Sequence, residues 1–271
     1  MGVFDTPPPH VTSHYLPVGQ ALMGTGGVLW TTTYFLMSLQ SLRDRTYAMP
    51  LFALSLNLAV DITQAAYVLT EWEEASIFGI WVLIDLGIVY AVVKYGHHEW
   101  THSPVIGKHV GKILGVMVAW CCWVTFALAQ WWLTENVNSK PGKWRNGVEG
   151  VDKDELGFWA ALLAQFVLSC SLLAQILVRG NSGGASYTIW ACRFLGSFFG
   201  LNVVFAWMWW TWPEAHPYFI NPVAICLLVT WFVADIAYLV VLRDVKKTET
   251  VLKDGRKVRG GMKMKNSTKT T

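Results

Sequence analysis

The chain is short of charge. Asp, Glu, Lys and Arg make up 14% of its 271 residues, against about a quarter in soluble domains. The length would suit one or two soluble domains, but so little charge and such long apolar runs argue for a single polytopic bundle. Soluble hydrolase triads, P-loops and dinucleotide fingerprints are missing. Cysteines offer no metal-binding spacing: Cys121, Cys122, Cys170, Cys192 and Cys226 are odd in number and all lie in apolar segments, so buried free thiols are expected. Lys and Arg are absent before Arg43, and the first apolar run is too long for a signal-peptide core, so no cleaved leader is expected. Residues Met1 to Thr6 fit the loose myristoylation pattern, a match that the topology below makes incidental. The excess positive charge gathers beyond Arg243, where it reports membrane topology and not a nucleic-acid surface.

Apolar and aromatic surface is what the chain has in quantity: 54% of residues are hydrophobic and 16 are Trp. Seven apolar segments stand out, near 17–40, 47–70, 76–95, 110–133, 156–178, 186–210 and 218–242. Each approaches the roughly 20 residues that cross a bilayer core. The expected fold is all-α, a polytopic membrane protein built as a bundle of seven transmembrane helices. It divides into an N-terminal segment (1–16), the bundle (17–242) and a basic tail (243–271) expected to be disordered. Arg43, Arg45, Lys94, Lys108, Lys112, Arg179 and the tail mark one face, and Glu71, Glu73, Glu74 and Glu214 the other. That balance places the N-terminus outside the cytosol and the C-terminus inside, although Lys140, Lys143 and Arg145 of the fourth loop run against it. The sequon Asn266-Ser267-Thr268 would then be cytosolic and unused, and the tail would either simply hold this topology or meet anionic lipid heads.

Polar residues inside the spans carry the functional signal. Asn57, Asp61 and Gln64 fall at i, i+4 and i+7 and share one helix face. An intramembrane carboxyl is costly unless it faces protein or a wet cavity. Asp61 and Asp85 lie twelve residues either side of the turn near Glu73, so they share a depth. If their faces meet, they form a dyad that does not easily hold two negative charges; otherwise each is a single buried carboxyl hydrogen-bonded to Asn57 or a backbone carbonyl. Asp235 and Arg193 lie at similar distances from the basic face and are placed to pair, either as a packing ion pair or as a counter-charge for a positive intermediate. Trp72, Trp100 and Trp212 read as an interfacial belt. Trp30, Trp81, Trp120, Trp123, Trp207 and Trp231 fall mid-span, and together with the acids they would wall an apolar cavity whose π-faces attract cations. His97, His98, Glu99 and His102 cluster beyond the third helix without a recognised metal spacing, so no metal is assigned. The last helix has no lysine, which disfavours a retinal Schiff base.

Several stretches carry a family likeness: Tyr47-Ala48-Met49-Pro50-Leu51, Asn57-Leu58-Ala59 with the acid at 61, and Trp81 with Asp85. Lys94-Tyr95-Gly96-His97-His98-Glu99-Trp100 with Ser103-Pro104, Arg179-Gly180 through Trp190 and Arg193, and Asp235 with Tyr238 complete the set. In this order and spacing, from Trp30 to Arg243, the chain resembles the paxB-type family of fungal integral-membrane terpene cyclases. The resemblance implies a membrane-bound, cofactor-independent cyclase of isomerase or lyase type, acting in meroterpenoid or indole-diterpene biosynthesis. Its substrate would be a prenylated, usually epoxidised small molecule supplied by an upstream prenyltransferase and epoxidase. An acid opens the epoxide, a carbocation runs along the chain, and proton loss ends the cascade. The family's two acids map onto Asp61 and Asp235, with Asp85, Asn57, Gln64 and Arg193 in support and Trp30, Trp81, Trp231 and Tyr238 as cavity or cation-stabilising residues. The resemblance implies Glu after an aromatic residue on the second helix; here it is Asp61 after Val60. A multi-pass protein of the endoplasmic reticulum is expected. Two rivals stay in view. A seven-helix small-solute or proton-coupled transporter would line its path with the same polar residues. A seven-helix receptor would need more cytosolic surface than these short loops provide.

Overall fold

The computed structural model describes residues 5–135, 137, 140, 143–145, 148–150 and 152–260. Among them run seven helices: α1 (Tyr15–Arg43), α2 (Leu51–Val68), α3 (Trp72–Tyr95), α4 (Pro104–Thr134), α5 (Lys153–Arg179), α6 (Tyr187–Thr211) and α7 (Pro222–Thr248). Their starts follow from local chemistry. Pro104 and Pro222 sit in the first turn, where no amide hydrogen is needed. The Asp152 carboxylate accepts from the Asp154 and Glu155 amides, and the Ser186 hydroxyl from the Ile189 amide. Gly180 ends α5 at φ 61°, a left-handed conformation suited to glycine.

Helices α2 to α7 are each long and apolar enough to cross a membrane. With 29 residues α1 also has the length, and its polar side chains are absorbed locally. Thr25, Thr31, Thr32 and Thr33 each donate to a carbonyl four residues back, at 2.7 to 2.9 Å. Large apolar side chains point away from the bundle: Leu83, Val116, Trp120, Trp123, Val178 and Trp210 are all exposed. That is the pattern of a protein whose outer solvent is lipid. Cys226 also faces outward, and Cys122, Cys170 and Cys192 are partly exposed. The expectation of uniformly buried thiols therefore holds only for Cys121, because a membrane bundle can turn apolar side chains outward at no cost.

In the interior, α1 packs on α3 and α6, α2 on α4 and α5, and α5 on α7. At the crossing of α1 and α6, a Cβ on Gly26 would stand 2.5 Å from the Gly200 Cα, so only glycine allows the two backbones to meet. Two helices change pitch: Gln64–Val68 and Phe198–Val203 are π-helical turns within α2 and α6. Such turns concentrate at functional sites.

The loops gather on two faces. On one, β1 (Asp5–Thr6) pairs with β2 (Trp144–Arg145), and β2 with β3 (Val148–Glu149), so the N-terminal segment is stitched to the α4–α5 loop. Lys140 contacts Asp152 and Glu155 at 2.6 and 2.7 Å, and Lys143 contacts Asp152 and Asp154 at 2.9 and 3.0 Å. Two of the three charges that ran against the topology are thus neutralised in place. On the other face, Arg179 holds Glu99 at 3.0 Å, donates to the Tyr47 carbonyl and lies over the Tyr47 ring; the Thr46 hydroxyl donates to Glu99. The tail differs from expectation as far as it is described. Helix α7 runs on to Thr248, β4 (Thr250–Val251) pairs with β5 (Lys257–Val258), Glu249 accepts from Ser182, and Lys257 reaches Asp44 at 2.9 Å. Composition signals disorder when nothing tethers a segment; these bonds to the bundle are the tether. The sequon and residues 261–271 lie outside the described residues.

Candidate active site

Five helices enclose a cavity of about 180 Å³ in the half of the bundle nearer the N-terminal face. Each gives it one stripe at helical spacing. From α1 come Met23, Gly26, Gly27, Trp30 and Tyr34; from α2, Asn57, Val60, Asp61 and Gln64; from α3, Glu74, Ile77, Phe78 and Trp81. Gly157, Ala161, Ala164 and Gln165 of α5 and Gly196, Ser197, Gly200, Leu201 and Phe205 of α6 complete the wall. Both π-helical turns contribute, through Gln64 and through Gly200 and Leu201.

The aromatic side is a continuous ring system. Trp30 and Tyr34 centroids are 5.2 Å apart, Tyr34 and Trp81 5.9 Å, and Phe78 and Trp81 4.9 Å. The Trp81 indole donates to Thr31 Oγ1 at 2.8 Å, which fixes the face it shows. Facing this wall, Asp61 is only 4% exposed. Its Oδ2 and the Gln64 Oε1 are buried without a hydrogen-bond partner among the described residues. The Asn57 amide is turned aside to Met49 Sδ at 3.6 Å. Asp85 does not line the cavity. It is fully buried, and its two oxygens likewise have no hydrogen-bond partner among the described residues. The Asp85 and Asp61 carboxyls lie within electrostatic reach of each other and of the Tyr34 hydroxyl. The shared depth inferred from the α2–α3 turn therefore does bring the two acids into one neighbourhood, without a hydrogen bond between them.

The remaining candidates sit behind the wall. Arg193 Nη1 donates to Asp235 Oδ2 at 2.9 Å, and Nη2 is 2.7 Å from Oδ1. Arg193 also lies 5.6 Å from the Tyr238 ring centre, and the Trp190 indole donates to the Asp235 carbonyl. Trp231 is buried against Phe194 and Phe232. None of Asp235, Arg193, Trp231 and Tyr238 touches the cavity directly. A polar chain connects them to it. Arg193 Nη1 donates to Ser169 Oγ at 3.3 Å, Gln165 Nε2 donates to the same oxygen at 2.9 Å, and Ser197 donates to Gln165 Oε1 at 2.9 Å. Gln165 and Ser197 are lining residues.

Of the mid-span tryptophans, Trp30 and Trp81 form the wall, whereas Trp120 and Trp123 face outward and Trp207 donates to the Tyr15 carbonyl. Of the proposed belt, Trp72 is exposed, but Trp212 is buried against Tyr15 and His216. Glu99 of the loop cluster is taken by Arg179 and Thr46. Tyr34, Glu74, Phe78, Gln165, Ser197 and the Gly/Ala stripe are new from the structure. Glu74 and Phe78 had a readable signal, since they precede Trp81 by seven and three residues and so share its face.

A buried acid in an aromatic, largely apolar cavity within membrane helices defines an integral membrane enzyme suited to reactions of cations. The family described as Pyr4-like transmembrane terpene cyclases matches residues 3–248, and the chain belongs to it. It is similar to the terpene cyclase ascF of Acremonium egyptiacum, with 40% identity over 252 residues covering 93% of this chain and 90% of the relative. The Pyr4-family terpene cyclase mfmH of Annulohypoxylon moriforme shares 31% over 87% of this chain and 90% of its own length. Terpene cyclase atmB of Aspergillus flavus shares 32% over 82% and 84%. No solved structure matches the chain. The protein is thus a membrane-embedded terpene cyclase, and the transporter reading finds no support.

Proposed function

We propose that the protein cyclises a prenylated, epoxidised small molecule of fungal meroterpenoid or indole-diterpene metabolism, and that Asp61 is the general acid. The observation that carries this is Asp61 itself: a carboxyl almost sealed from solvent, one oxygen unpartnered among the described residues, facing the Trp30–Tyr34–Trp81–Phe78 wall. Asp61 transfers its proton to the epoxide oxygen as a C–O bond breaks; the alkenes then attack in turn, and the aromatic faces stabilise the travelling cation. Asp85 and Tyr34 share the electrostatic environment of the proton on Asp61, and Asn57 and Gln64 border it. Asp235, held by Arg193, supplies a fixed counter-charge and braces the wall through Ser169 and Gln165. Opening the strained epoxide drives the reaction, so the chemistry calls for no cofactor.

The substrate reaches the protein from lipid, after a prenyltransferase and an epoxidase have acted. The protein resides in the endoplasmic reticulum with the tail cytosolic and the N-terminus on the opposite side. The test is cyclisation of an epoxidised prenyl substrate by microsomes carrying Asp61→Asn. Loss of turnover by about 10² or more is expected for removal of a general acid; full cyclisation by this variant would sink the assignment.

A further inference from the structure

The cavity holds a second carboxyl-bearing residue, closer to the start of α3 and so to the membrane surface than Asp61. Glu74 lines the wall together with Ile77, Phe78 and Trp81, one face of α3. Its neighbour Glu73 is exposed and has the ordinary place of an acid in a first helical turn, next to the positive end of the helix dipole. Glu74 is half-buried and turned inward. Asp61 lies seven residues before the end of α2 (Val68), and Glu74 two residues after the start of α3 (Trp72). At roughly 1.5 Å of rise per residue, their heights differ by about 7 Å, a few carbon–carbon bonds of a folded polyprenyl chain. By the same count the Phe78 ring falls between the two heights, and Trp81 lies one turn further in, beside the level of Asp61. The cavity therefore has a sealed acid in its inner part and a carboxyl near the membrane surface, with the Phe78 ring between them and Trp81 beside the inner acid.

We infer that Glu74 is the base that ends the cascade, and that the substrate lies with its epoxide end deep at Asp61 and its head group toward Glu74. This rests on the reading of Asp61 as the acid. The step balances: a C–H bond next to the last cation breaks, its electron pair becomes the new C=C bond, and its proton passes to a Glu74 oxygen. Asp61 has meanwhile given one proton to the epoxide oxygen, so the product is an isomer of the substrate. Glu74 releases its proton at the membrane surface, and Asp61 regains one before the next turnover.

The test is product analysis in microsomes with Glu74→Gln, Glu74→Asp, Glu73→Gln and Asp61→Asn in parallel. Glu74→Gln is expected to keep consuming substrate, while the share of the native alkene drops about fivefold or more in favour of alcohols from water capture and of isomeric alkenes. Glu74→Asp, with its carboxylate drawn back by one methylene, is expected to give an intermediate product ratio. A wild-type ratio in Glu74→Gln overturns the inference, and so does an equal change in Glu73→Gln, which would trace the effect to charge at the helix start. Should Glu74→Gln fail to accumulate, Glu74→Asp decides: a shifted ratio supports the inference and a wild-type ratio overturns it. Asp61→Asn separates the two readings, because turnover retained there removes the acid assignment while the product ratios at Glu74 stay readable.

Discussion

Arg193 and Asp235 meet through two contacts, at 2.9 and 2.7 Å, sealed from solvent and one layer behind the cavity wall. Neither reaches the cavity, yet Ser169 and Gln165 carry their arrangement to it. An acid so placed serves to fix charge and geometry, whereas Asp61, the proposed proton donor, faces the cavity.

Breaking this pair is expected to be costly. Asp235→Asn leaves the Arg193 charge buried without its counter-ion, a change worth about 3–5 kcal/mol. Removing both charges in Asp235→Asn/Arg193→Met relieves that penalty. Thermal melts in detergent should therefore show the double variant more stable than either single variant. Turnover should stay low in all three, because each loses the balanced charge pair that backs the cavity wall through Ser169 and Gln165. A double variant that melts at the sum of the single losses would show the two residues to be uncoupled.

Most of the fold was legible because a bilayer imposes length and apolarity on each span: every helix begins and ends within six residues of its apolar segment. The Asn57–Asp61–Gln64 stripe was legible for the same reason, since polar residues in lipid must face inward. Which helices meet was not legible. Periodicity shows that Trp231 and Asp235 point inward but not that α7 backs onto α5 and misses the cavity. Gly26, Gly200 and Ala161 were invisible because small residues declare themselves only through what approaches them. The tethers from Asp44 and Ser182 to the tail cross between distant segments, and no local pattern encodes them.

Asp61→Glu tests the position itself. The resemblance implies Glu here, and one extra methylene extends the carboxyl by about 1.5 Å toward the aromatic wall. The side chain borders open space, so the change is accommodated without repacking. Turnover is expected within about tenfold of wild type, in contrast to the loss of about 10² or more for Asp61→Asn. The measurement is initial cyclisation rate under the same microsomal conditions. A Glu variant as inactive as the Asn variant would mean that the placement of the acid matters as much as its presence.

On the proposed reading, small residues on α5 set how much of the substrate chain the cavity accepts. Gly157, Ala161 and Ala164 present almost no side chain where the opposite wall presents rings. Ala161→Leu extends into that space; because Ala161 also packs beside the core around Phe158 and Phe205, a modest fall in melting temperature is expected. Discrimination should shift as well. With two prenyl chain lengths on one head group, the kcat/KM ratio should move about tenfold toward the shorter chain, the range expected for displacing apolar volume in a pocket. An unchanged ratio would place the chain elsewhere in the bundle.

His216 gives the loop face a pH dependence. It is fully buried between the hydroxyls of Tyr15 and Tyr218, each 2.8 Å from a ring nitrogen. A neutral ring satisfies both, donating through one nitrogen and accepting through the other. Burial, and next the Lys143 ammonium, push the imidazole from its ordinary 6.5 down to about 3; Asp154 and Asp152 oppose this and Lys140 adds to it. Between those values the unfolded chain binds a proton that the folded chain refuses, so stability falls as pH falls. The contribution is fully present above pH 6.5, and roughly 2 kcal/mol of it is lost between pH 7 and pH 5. Thermal melts over that range should drop steeply in the wild type. In His216→Gln, which keeps hydrogen bonding to the two tyrosines without a titrating group, the slope should be shallower. Equal slopes in the two proteins would assign the acid sensitivity to other groups.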